Sequence, residues 1–161
     1  MKALVVDGYN AIHKIPHLRS LLDKSLAEAR KALTGLAVDY QRKVGGIAEV
    51  YVVFDGNDAY GDLSSTAPAH QVFSKTGEGD EEVIRLVRKL SNRYHVIVAS
   101  DDNFVRNNSR AYNASTIAVS ELLAALKKKT TRAERDIPDE KNIDPKDAKE
   151  ITEYLKKRLK D

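Results

Sequence analysis

The 161-residue chain contains no cysteine. A disulfide scaffold, thiol catalysis and a thiolate zinc site are therefore excluded, and a reducing compartment suits it. Long apolar runs are missing as well. No stretch approaches the ~20 apolar residues that a membrane-spanning helix needs, and none at the N-terminus has the form of a signal peptide. The first apolar segment, Ala3 to Val6, stops at Asp7 and reads as a strand. The expectation is a cytoplasmic protein with no membrane partner. The chain also lacks a large charge of one sign. Its net charge of +3 does not by itself demand a nucleic-acid partner.

The composition that remains is ordinary for a globular protein, 42% apolar and 32% charged. The length suits one domain over residues 1–161, with a core from 2 to 129 and a C-terminal linker and helix over 130–161. Apolar runs alternate with helical patterns, which points to an α/β fold built from parallel βαβ units. Val50 to Phe54 and His95 to Ala99 are apolar on both faces, as central parallel strands are. A long helix is expected after Pro16, with Leu22, Leu26, Ala29, Leu33, Leu36 and Tyr40 forming one buried stripe. Gln71 to Phe73 reads as a short strand and Asp80 to Arg93 as a helix. The strand Thr116 to Val119 leads to Ser120, a good N-cap for a helix from Glu121 to Lys128. Asp144-Pro145 opens a final helix. Basic residues cluster at Lys127, Lys128 and Lys129, at Arg132 to Arg135 and at the end of the chain.

The carboxylates are more informative. Asp7, Asp55 and Asp101 each follow a strongly apolar strand, and in parallel sheets ligands bind beyond the carboxyl ends of the strands. Taken singly, each is better read as a turn former or helix cap; their recurrence at three strand ends weakens that reading. Asp80 is in line with Val83, Val87, Leu90 and Tyr94, so it lies on the buried stripe of its helix. Glu81 instead aligns with Arg85 and Arg88 on a solvent-side ion-pair face. Carboxylates gathered in one crevice repel each other unless one is neutralised or a cation sits between them. Oxygen-only ligation suits a hard ion, Mg²⁺ or Mn²⁺. Such an ion acidifies water and neutralises charge developing on a phosphate oxygen, the requirements of phosphodiester hydrolysis.

The run Val5-Val6-Asp7-Gly8-Tyr9-Asn10-Ala11-Ile12-His13 resembles the opening motif of the NYN domains, in particular the YacP-like group of the PIN-like nucleases. Further pieces follow in the family's order: Ala29-Arg30, Val52 to Gly56, Asp80 with Val83, Ala99-Ser100-Asp101 and Ser120 to Leu123. The resemblance covers residues 2 to 125. It implies a three-layer PIN-like fold whose parallel sheet has the order 3-2-1-4-5. It also implies a metal-dependent endoribonuclease, acting in some members on RNA engaged by ribosomes. Asp7, Asp80 and Asp101 would be the metal-binding catalytic residues, with Asn10 and Ser100 orienting ligands or water. The chain departs from the family at Glu78-Gly79, where Thr-Ala is common, and at Ala99, where Thr is common. Asp101 is taken as the ligand at its corner, and Asp102 as a helix cap or outer-shell acceptor.

Among the supporting residues, Arg30, Arg106, Arg110, Lys127 and Lys128 are candidate RNA contacts; for Arg30 a structural ion pair is an equal alternative. His13 and His17 could contact phosphate, but they lie near a helix start, where lone histidines are mostly structural. Asp55 reads best as forming a turn with Gly56. The competing function is a non-catalytic RNA- or ribosome-binding module. A phosphatase or receiver domain of similar topology fits less well. The former wants a second aspartate where Tyr9 stands, and the latter an acidic pair where Gly8 follows Asp7.

Overall fold

The computed structural model describes residues 1–56, 69–75 and 77–132, with side chains described as far as residue 125. Five strands, β1 (Lys2–Asp7), β2 (Ile47–Asp55), β3 (His70–Ser74), β4 (His95–Ala99) and β5 (Ser115–Ile117), form one sheet in the order β3-β2-β1-β4-β5. All four pairings are parallel. This is the expected order, with β1 at the centre and the strand ends at Asp7 and Ala99 side by side.

Period-two alternation sorts the strand side chains into two cores. Leu4 and Val6 of β1, Val52 and Phe54 of β2, and Ile97 and Ala99 of β4 face one layer. Ala3 and Val5, Val53, and Val96 and Val98 face the other. The first layer holds α1 (Gly8–Lys14), α2 (Pro16–Leu22), α3 (Leu26–Val44) and α6 (Val119–Arg132). The second holds α4 (Gly79–Leu90) and α5 (Asn103–Arg110). The architecture is a three-layer α/β/α sandwich.

Several boundaries differ from the sequence reading. The single long helix after Pro16 is two helices, and α1 precedes them. Pro16 starts α2, and the chain breaks at Asp23 to Ser25, where the Ser25 side chain accepts from Glu28 N and caps α3. Gly45, at φ 74°, ends α3. β5 stops at Ile117, and α6 starts at Val119 rather than after Ser120. Its start is held by Glu121, whose Oε2 accepts from Ala118 N at 2.7 Å, and by Asp101, so Ser120 is not the cap. α6 also continues through Lys128 to Arg132, across residues expected to begin the linker. The ion pair on α4 joins Arg85 to Glu82, not to Glu81. The final helix, and most of the linker, lie outside the described residues.

Candidate active site

The sheet's alternation determines which acidic residues meet. Asp7 continues the Ala3–Val5 series and Asp55 the Val53 position, so both belong to the side of the sheet covered by α4 and α5. Those two helices begin at the same edge, with Asp80 in the first turn of α4 and Asp102 capping α5.

Asp7 is 8% exposed. The fully buried Ser100 donates its hydroxyl to Asp7 Oδ2 at 3.0 Å and accepts from Asp102 N at 3.1 Å. Burial is the main force pushing the Asp7 carboxyl up to about 6; the Ser100 bond pulls it down, and the charges of Asp80, Asp102 and Asp55 push it up again. The Asp80 carboxyl is also raised, first by burial and then by Asp102, Glu81 and Asp55. Asp102 Oδ1 accepts from Val105 N at 3.1 Å, so it caps α5 while its charge reaches both Asp7 and Asp80.

Two glycines allow the close approach. A Cβ on Gly8 would collide with the Val53 carbonyl oxygen and stand 2.6 Å from the Phe54 ring, so only glycine lets α1 start directly after Asp7. A Cβ on Gly79 would stand 2.9 Å from that of Asp55. The Asp55 carboxylate accepts from Gly77 N at 2.7 Å. It therefore pins the approach to α4 instead of closing a turn on Gly56, whose amide goes to the Ser74 carbonyl.

Asp101 points the other way. Its Oδ1 accepts from Val119 N at 2.9 Å, at the start of α6, and its own amide donates to Asn10 Oδ1 at 2.9 Å. Its charge is not among those that raise Asp7 or Asp80. The acidic neighbour of Asp7 and Asp80 at this corner is Asp102, not Asp101. Asn10 ties α1 to the corner after β4 through that amide. Of the expected trio, Asp7 and Asp80 bear on one another through their charges, while the Asp101 carboxylate is engaged at the start of α6. Among the described residues, no group of three or more acidic or histidine side chains is placed to hold a metal ion, whether Asp101 or Asp102 is counted with Asp7 and Asp80.

The basic candidates sit on different elements. Arg30 donates through Nε and Nη2 to the Tyr9 hydroxyl at 3.2 and 2.5 Å, with its guanidinium 5.2 to 5.8 Å from the rings of Tyr9, Phe54 and Phe73. Arg106 is half-buried, and its Nε has no hydrogen-bond partner among the described residues. Arg110 donates to Thr116 Oγ1 at 2.8 Å. Lys127 and Lys128 lie in the second half of α6, and their side chains fall outside the described ones.

A central parallel sheet of this order carries acidic residues at the end of β1 and at the starts of α4 and α5. The model of the YacP-like NYN domain matches residues 4–161. The chain belongs to the YacP-like NYN domain family. That membership bears out the resemblance carried by the Val5–His13 motif, and it makes the domain a member of a nuclease-like family. A curated relative, the uncharacterized protein YacP of Bacillus subtilis (strain 168), is 38% identical over 96 residues, covering 57% of this chain and 55% of that protein. The chain thus spans about half the length of that relative. Crystal structures of Rae1 (YacP) from Bacillus subtilis share this NYN fold. A mutant form aligns with a TM-score of 0.66 and 31% identity over 84% of this chain and 80% of that one. A second structure aligns with a TM-score of 0.64 and 29% identity, covering 84% and 79%.

Proposed function

We propose that this YacP-like NYN domain is a metal-dependent endoribonuclease, hydrolysing RNA phosphodiester bonds at the sheet edge where the charges of Asp7, Asp80 and Asp102 act on one another, with ribosome-engaged mRNA as the natural substrate class. The observation that carries this reading is Asp7 itself. It is a carboxylate buried at the end of the central strand, surrounded by like charges and held near 6. That arrangement costs stability at neutral pH, and such costs concentrate at functional sites.

The donor chemistry suits a hard divalent ion, since it offers carboxylate oxygens and the chain has no sulfur ligand except one methionine; bringing three of these carboxylates onto one ion takes side-chain movement from the arrangement described. Asp7, Asp80 and Asp102 would hold Mg²⁺ or Mn²⁺, with Asp55 adding negative charge beside them. Bound there, such an ion activates water for attack and offsets charge developing on the phosphate. The protein's own groups position the rest. Ser100 fixes Asp7 through Oδ2, which leaves Oδ1 for a ligand. Asn10 and Asp101 brace the corner that carries Ser100 and Asp102. The amino-terminal ends of α4 and α5 present partial positive charge to a phosphate. Arg106 and Arg110, and Lys127 and Lys128 on α6, are the cations proposed to contact the RNA backbone. Arg30 is given the task of positioning Tyr9.

That no group of three ligands is assembled among the described residues favours a second reading, an RNA- or ribosome-binding module without turnover. Cleavage of a long RNA in Mg²⁺ or Mn²⁺ separates the two. Asp7→Asn, Asp80→Asn and Asp102→Asn are expected to lose roughly 100-fold or more, since even residues outside the ligand shell commonly cost 10- to 100-fold. Asp101→Asn is expected to lose less. Equal cleavage by wild type and all four variants rejects the nuclease. Metal-independent RNA binding without cleavage selects the module.

A further inference from the structure

α1 carries a second feature that the acidic crevice does not use. An open cavity of about 650 Å³ lies along α1 and α2, lined by His13, Lys14, Pro16, Arg19, Ser20 and Asp23. His13, Lys14, Arg19 and Ser20 are all exposed. Among the described residues, neither Lys14 nor Arg19 forms an ion pair. The cavity therefore offers two cations, an imidazole and a hydroxyl against one carboxylate. α1 and α2 are too short to carry much stability alone, and nothing in the cavity neutralises both cations.

The position relative to the acidic edge gives this cavity a meaning. Asn10, which holds the Asp101 amide, lies three and four residues before His13 and Lys14. Those spacings place all three on one flank of α1. One helical turn, about 6 Å along the axis, separates the corner beside Ser100 and Asp102 from the first cation of the groove. A strand that crosses the rim of the sheet from the acidic crevice to the α1 side would follow that flank to Lys14 and then Arg19. We propose that this groove is a phosphate-backbone subsite for single-stranded RNA, which grips the strand to one side of the point where the carboxylates act. The proposal rests on the nuclease reading for its ligand. Its recognition is electrostatic and largely sequence-independent, because the lining offers charge and hydrogen-bond donors and, apart from the His13 imidazole, no ring on which a base could stack.

The test measures equilibrium binding of a short single-stranded RNA to the full chain over a range of salt, with the divalent ion chelated and in the Asp7→Asn background. Binding is then read without cleavage. Lys14→Gln with Arg19→Gln is expected to weaken binding roughly tenfold and to flatten the slope of log K against log salt by about 1.4, two single-strand phosphate contacts. Asp23→Asn is expected to tighten binding, an effect that damage to the fold would not produce. Lys89→Gln, at the far end of α4, is the neutral control. Unchanged affinity and slope in the double variant, or no RNA binding by the wild type, overturns the subsite. The nuclease reading fails separately: an intact salt effect with no metal-dependent cleavage by the wild type keeps the groove and discards the catalysis. Intact cleavage with an unchanged slope does the reverse.

Discussion

At the scale of the residue, Asp7 sets its own pH signature. Aspartates usually gain stability from ionisation in the folded state, but here burial and neighbouring carboxylates raise the carboxyl from 3.8 to about 6. The folded state then holds a proton that the unfolded chain has released. Between about pH 4 and pH 6 the folded state binds more protons, so stability falls as pH rises through that window and levels off above it. The expected cost at neutral pH is about 3 kcal/mol, to order of magnitude. Urea melts with the divalent ion chelated should show that decline in the wild type and little of it in Asp7→Asn, which should be the more stable protein near neutral pH. A wild-type stability that rises through the same window would contradict the burial of this charge. Asp80 shifts in the same direction and adds to the trend.

At the scale of the element, the corner after β4 shows what the sequence makes legible and what it hides. The four-residue run to Asp7, the β-branched strands and the inward stripe of α4 could be read from periodicity, and with them the edge where a site would lie. The choice between Asp101 and Asp102 was not made by spacing along the chain. The clue was present in the alternation: Ala99 faces the α3 and α6 layer while Val98 faces the α4 and α5 layer. Carried forward two residues at a time, the first series reaches Asp101 and the second reaches Ser100 and Asp102. Which layer each series meets depends on the strand order and on which helices cover which face, and those are tertiary facts. The three-helix start was hidden for a similar reason. The apolar stripe runs through Leu22 and Leu26 without interruption, and only the Ser25 cap marks the break. Because Asp102 both caps α5 and charges the crevice, Asp102→Ala should have two separable effects. Chemical denaturation should show a loss of about 1 kcal/mol from the missing cap. The Asp7 carboxyl, followed by NMR titration, should move down toward the ordinary range because a repelling charge has gone. An unmoved Asp7 would separate the cap from the crevice.

At the scale of the whole molecule, the domain divides its work between layers. α4 and α5 bring the acidic groups to the sheet edge, while α1, α2, α3 and α6 brace it from the other side and carry the basic groove. Arg30, stacked among Tyr9, Phe54 and Phe73, clamps α3 to α1 and to two strands. Family membership accounts for the frame; the proposed chemistry depends on a few side chains at one rim of it. The central strand that ends in Asp7 is hydrogen-bonded along both edges and shielded above and below. Amides in such a strand escape to solvent only when the entire domain opens. Deuterium uptake at Val5 and Val6 should therefore be among the slowest in the chain, and on heating the loss of function should coincide with the cooperative melt rather than precede it. A mobile active site would fail early; one anchored to the last segment to come apart keeps working until the molecule itself is lost.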